Sequence, residues 1–143
     1  MFSSDRDTMR KQYVEAWRKF RAGEVMTPLE DMIARVIVDH PEYHALLESG
    51  EKGMQREYLP EDGETNPFLH MGMHLAIREQ VGTDRPPGIR AVHRQLSERH
   101  GGTVPAEHRM IDCLAEVLWR AQRDQTAPDE QAYLRDLEAL LRR

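Results

Sequence analysis

Four histidines are spaced so that they could share one metal ion. His40 and His44 are four residues apart, and so are His70 and His74. Residues four apart on a helix project side by side, with about 5–6 Å between their Cβ atoms, and two imidazoles at that spacing can bind the same cation. Two such pairs on inward helix faces could therefore build one buried metal site.

Both pairs lie in line with apolar residues at helical spacing, which predicts that their rings face a core. The first line consists of Leu29, Ile33, Val36, His40, His44 and Leu47. The second consists of His70, His74, Ile77 and Val81. Each buried imidazole nitrogen left without a partner costs roughly 1–3 kcal/mol, so a shared metal ion would satisfy several rings together.

Glu107 and His108 could complete the site, because each lies in line with apolar residues of its own helix. We expect each to bind the metal or to support a residue that does. Alternatively, the negative charge of Glu107 only interacts favourably with the dipole at the helix N-terminus, and His108 lies at the edge of the core. Arg78 and Glu79 lie on the predicted helix that carries His70 and His74, where they would orient ligands or form a structural ion pair.

Imidazole and carboxylate donors without a thiolate favour iron, zinc or manganese over copper(I) or an iron–sulfur cluster. Iron is the first expectation, because helical bundles commonly hold iron between inward His and Glu side chains. An open coordination position would bind oxygen, peroxide or water. The function would then be redox chemistry, sensing or hydrolysis, and the sequence does not decide whether the protein is an enzyme.

A metal-free protein-interaction module is the alternative. In that case the core histidines form hydrogen bonds with Glu107, with groups linked to Arg78 and with the backbone. The partner would be another protein, contacted through exposed apolar residues of the first or last helix.

Apolar residues recur at spacings of three and four along the chain, which predicts an all-α fold: one compact bundle of five to six helices, forming a single domain over residues 1–143. The first three expected helices run from about Ser4 to Ala22, from Thr27 through Val38, with a kink or a restart at Pro41 before a short helix reaching Ser49, and from Asn66 to about Val81. The other three run from the turn that ends at Gly88 to about Arg99, from about Thr103 to Arg123, and from about Pro128 to the C-terminus. Residues 50–65 are the longest expected loop. The helix from Asn66 lacks a wide polar face and should be buried on all sides.

The composition narrows the classes of function and the cellular locations that the chain could have. The 143 residues include 20 Lys and Arg against 25 Asp and Glu, for a net charge of −5, which argues against nucleic-acid binding. The longest apolar stretches are far shorter than the ~20 residues that cross a bilayer, and the first residues do not form a signal peptide. The single cysteine, Cys113, suits a reducing compartment, so we expect the cytoplasm. A homo-oligomer is possible, and the small-molecule or protein partner is unknown.

Five blocks of sequence look familiar: HPEYH from His40, NPFLHMGMHLAIREQ from Asn66, TDRPPGIR from Thr83, AEHRMIDCLAEVLWRAQR from Ala106 and PDEQAYL from Pro128. Together they resemble a bacterial family known only as domain of unknown function 1841, and the likeness spans nearly the whole chain. The resemblance implies a single bacterial domain. It implies no activity, cofactor or catalytic residue, so the metal hypothesis rests on the spacing argument alone.

Overall fold

A computed structural model of the chain describes residues 2–49 and 66–143. All regular structure in these residues is helical, which confirms the all-α prediction. Seven α-helices are present there: α1 (Phe2–Ala22), α2 (Pro28–Val38), α3 (His44–Glu48), α4 (Pro67–Thr83), α5 (Ile89–His100), α6 (Thr103–Asp124) and α7 (Glu130–Leu140). The predicted loop over residues 50–65 lies outside the described residues.

The helix ends follow the local signals of the sequence. Thr27 and Glu30 form a capping box at the start of α2, in which each side chain accepts a hydrogen bond from the other residue's backbone N–H. Asn66 caps α4 by accepting hydrogen bonds from the backbone N–H groups of Phe68 and Leu69. Gly23 ends α1 with φ +71°, in the left-handed region that glycine adopts without strain.

Proline 41 explains the one helix beyond the predicted number. Its ring removes a backbone donor and prevents α2 from continuing, so a short 3₁₀ turn forms over Pro41–Tyr43. The chain becomes α-helical again in α3. This break separates His40, two residues after the end of α2, from His44, the first residue of α3.

The chain divides into two compact units, Met1–Leu75 and Ala76–Arg143, with the division inside α4. In the first unit, α1 packs against α2 and α3. The core there consists of Tyr13, Ala16, Trp17, Ile33, Val36, Ile37, Leu47, Phe68 and Met71. Residues of α2 and of the first turns of α4 belong to this one core, and these two segments carry or precede His40, His70 and His74.

In the second unit, α5, α6 and α7 pack against one another. Its buried apolar residues include Ile89, Val92 and Leu96 of α5, Met110, Leu114 and Val117 of α6, and Tyr133 and Leu137 of α7. The recurrence of apolar residues at spacings of three and four, which predicted these helices, therefore also identifies their buried faces. That the two units act as a single domain stays a prediction.

Helix α4 departs from one expectation. Phe68, Met71, His74 and Ile77 are buried, but Leu69 is 64% exposed and Glu79 is also exposed, so the helix is not buried on all sides. Its apolar residues are too evenly spread for the sequence to show which of them face solvent.

Among the described residues, the helices are too short or too polar to span a bilayer.

Replacing Thr27 with alanine tests the capping box. The change leaves the backbone N–H of Glu30 without its side-chain acceptor, and we expect the free energy of unfolding to fall by about 1 kcal/mol. Urea unfolding followed by circular dichroism measures it. Thr126→Ala, at an exposed position, is the control; equal effects of the two substitutions would contradict the assignment.

Candidate metal centre

His40 presents a buried nitrogen lone pair. Its side chain is 2% exposed, and its Nδ1 lies 2.7 Å from the carbonyl oxygen of Val36 in the last turn of α2. Because a carbonyl can only accept, Nδ1 carries the proton and donates, so that in the neutral tautomer the lone pair is on Nε2. This Nε2 is inaccessible to solvent and has no hydrogen-bond partner among the described residues.

His70 and His74 present two more ring nitrogens from α4. Their Nε2 atoms lie 3.2 Å apart, and the ring of His74 is fully buried while that of His70 is half-buried. Two ligands on a tetrahedral ion, each 2.0–2.1 Å from the metal, are about 3.3 Å apart. The separation of these two nitrogens is therefore close to the edge of a metal coordination tetrahedron, and it also lies in the range of a hydrogen bond.

The three rings meet in the first unit. The ring centroids of His40 and His74 are 4.6 Å apart, those of His70 and His74 are 4.7 Å apart, and those of His40 and His70 are 5.2 Å apart. One nitrogen from each ring lies within 4.8 Å of those of the other two. The arrangement is compatible with a metal site and unites one ring of the first predicted pair with both rings of the second.

Two neighbours hold the His40 ring in place. The hydrogen bond to Val36 sets its tautomer, as a carbonyl or carboxylate does for histidines that bind metals through the other nitrogen. The ring of Tyr43 lies parallel to it, at 5.6 Å between centroids and an interplanar angle of 4°. The 3₁₀ turn after Pro41 brings Tyr43 into this position.

Comparison with known protein families decides the family of the chain. Residues 5–139 match the model of a domain of unknown function, DUF1841. The chain belongs to this family. The match confirms the resemblance seen in the sequence and runs through both units of the DUF1841 chain. No curated protein and no solved structure matches it.

His44 of the DUF1841 chain is not brought into the three-ring cluster. Its Nε2 lies 2.7 Å from the carbonyl oxygen of Ile37, and its ring packs on Trp17 with 4.4 Å between centroids. The indole of Trp17 in turn donates a hydrogen bond to Glu48. The break at Pro41 turns His44 away from the line that an uninterrupted helix would have given, because residues 41–43 follow 3₁₀ rather than α-helical geometry.

The remaining predicted residues belong to the second unit. Glu107 is 1% exposed, and its carboxylate accepts hydrogen bonds at 3.2 Å from Arg78. His108 follows Glu107 on α6 with an exposed side chain, and Glu79 is exposed on α4. That Glu107 and His108 bind a metal, and that Arg78 and Glu79 support the site, stay predictions.

His93 lies beside the buried Glu107 and was not among the residues predicted from the sequence. Its Nε2 lies 3.3 Å from Oε2 of Glu107, so the buried carboxylate has an imidazole as well as a guanidinium beside it. A signal was present in the sequence, because Ile89, His93 and Leu96 follow one another at steps of four and three. This is the pattern that identified the other inward histidines.

Removing Arg78 should be costly, because the buried Glu107 carboxylate would lose its guanidinium partner. We expect Arg78→Met to lower the free energy of unfolding by about 3 kcal/mol. Adding Glu107→Gln should recover much of that loss, since the uncompensated charge is then gone.

Urea unfolding of the two single variants and the double variant forms the cycle that measures this coupling. Arg35→Met, which removes an exposed ion pair with Asp31, is the control and should leave the unfolding midpoint nearly unchanged. Additive effects of Arg78→Met and Glu107→Gln would show that the pair does not act as a unit.

Proposed function

We propose that this protein binds a divalent transition-metal ion through His40, His70 and His74. The observation that carries the proposal is the buried Nε2 of His40, which has no hydrogen-bond partner among the described residues and belongs to a ring grouped with those of the other two histidines. A lone pair sealed from water without a partner is costly, and a cation bound to it removes that cost.

The donor set supports zinc or iron. Imidazole nitrogens bind both ions well, whereas manganese prefers carboxylate and water oxygens. Iron was the first expectation because bundles hold iron with mixed His and Glu ligands. Three imidazoles without a carboxylate among the described residues of the first unit are closer to the donor sets of zinc, and we therefore propose zinc ahead of iron.

Three ligands from one unit leave room for a further ligand on a four-coordinate ion. Water or a substrate at this position would give zinc hydrolytic chemistry, while oxygen or peroxide would give iron redox or sensing chemistry. The sequence-based assignment of His108 as a ligand would fill the position instead. The activity of the site is therefore decided by the identity of the metal and by what occupies this position.

A metal-free core is the competing explanation, and the geometry supports it less well. His70 and His74 could satisfy each other by a direct hydrogen bond at 3.2 Å. This leaves the Nε2 of His40 without a partner among the described residues, so a metal-free core explains two of the three rings.

We further propose a cytoplasmic location, where the half-buried thiol of Cys113 stays reduced. Burial raises the pKa of this thiol and keeps it protonated.

Metal binding is measured by titrating zinc or iron(II), the latter without oxygen, into protein purified in the presence of a chelator and then desalted. We expect one ion per chain and an affinity that falls by at least about 100-fold in His40→Ala, His70→Ala or His74→Ala, because each removes a ligand. His44→Ala and His100→Ala carry the same substitution outside the cluster and should bind as the wild type does.

The same titration of His108→Ala tests whether His108 is a ligand of the metal. A lower affinity in this variant would support the assignment, and an unchanged affinity would contradict it. Circular dichroism of each variant checks that it remains helical. Less than a tenth of an ion per folded chain for both metals would overturn the proposal, and so would full binding by His70→Ala and His74→Ala.

Bound metal should also stabilise the fold. An ion at 100 times its dissociation constant adds about 2.7 kcal/mol to the free energy of unfolding, provided that it binds only the folded state. Thermal unfolding with and without zinc measures this effect. The midpoint should rise for the wild type and for His100→Ala but not for His74→Ala; an equal rise in all three would indicate non-specific binding.

A further inference from the structure

A groove on the second unit shares no lining residue with the proposed metal site. It has a volume of about 610 Å³ and is bounded by the second half of α4, the turn that follows it, the middle of α6 and the start of α7. Binding sites for small organic molecules typically have volumes of about 300–1,000 Å³. The groove therefore has the size of a small-molecule site.

The floor of the groove is apolar and held in position. Leu114, Val117 and Tyr133 are buried core residues that line it, and Pro86 adds a further apolar surface. The hydroxyl of Tyr133 donates a 2.7 Å hydrogen bond to Oε1 of Gln80. Burial raises the pKa of Tyr133, so the ring contributes a neutral surface. Such a floor favours the apolar part of a ligand.

The rim of the groove is charged, in contrast to its apolar floor. Three carboxylates, those of Glu79, Asp129 and Glu130, line the groove against one guanidinium, that of Arg85. Asp129 uses one oxygen to cap α7, while Glu79 and Glu130 are exposed and form no ion pair with another described residue. The unneutralised carboxylates attract a cation and repel an anion across the opening of the groove.

We propose that this groove binds an organic cation with an apolar body, such as a protonated amine on an aromatic or alkyl group. The body would occupy the floor formed by Leu114, Val117 and Tyr133, and the ammonium group would lie at the carboxylate rim. A bare metal ion would leave the apolar floor unused, and an organic anion would face the repulsion of the rim. The proposal is independent of the metal site.

Three probes of the same shape and different charge test it: 4-phenylbutylamine, 4-phenylbutan-1-ol and 4-phenylbutanoate. Each is titrated into the full chain labelled with ¹⁵N, and binding is followed through backbone amide shifts. We expect the amine to bind at least about threefold more tightly than the alcohol and the carboxylate to bind most weakly, with shifts in residues 114–118 and 130–133. The preference for the amine should weaken as salt is added.

The double variant Glu79→Gln/Glu130→Gln should bind the amine and the alcohol about equally. Glu98→Gln/Glu138→Gln is the matched control, because it removes the same charge from exposed positions of the second unit outside the groove and should keep the preference for the amine. Equal binding of amine and alcohol by the wild type would overturn the proposal. So would the absence of shifts at 5 mM probe, or shifts confined to other residues.

Discussion

The hydrogen bond from Nδ1 of His40 to the carbonyl of Val36 determines the chemistry of the candidate centre. It satisfies a carbonyl that the end of α2 would otherwise leave without a helical partner, and it sets the tautomer of the ring. The lone pair is thereby assigned to Nε2, the nitrogen that is sealed from water. One contact thus satisfies the end of α2 and fixes the ring of a candidate metal ligand, and Pro41 is the residue that makes α2 end there.

The two units bury polar groups in different ways. In the first unit, three imidazole rings converge, and the buried Nε2 of His40 has no hydrogen-bond partner among the described residues. In the second, the Glu107 carboxylate already has Arg78 and His93 beside it, so its charge is balanced by the protein's own side chains. A carboxylate with these partners is less available to a metal than an imidazole with none at its Nε2. This difference is the physical reason for placing the candidate metal centre on the three histidines.

Local sequence signals determined the helices and most of their limits. A cap such as Thr27 or Asn66 acts on backbone groups two or three residues away, and Gly23 acts on its own backbone, so each can be recognised without knowledge of the fold. The two HxxxH spacings were equally visible. They identified His40, His70 and His74 as inward-facing residues, and the structure brings these three rings together.

Only the tertiary structure decided which rings meet. The sequence placed His44 in line with His40, but a 3₁₀ turn of three residues changes the direction of every side chain after it, and His44 instead packs on Trp17. The partner of Glu107 was likewise undecided, because Arg78 and His93 lie 29 and 14 residues from it along the chain. Periodicity shows which face of a helix is buried, whereas contacts between helices depend on how those faces pack, and that is determined by the whole core rather than by any local segment.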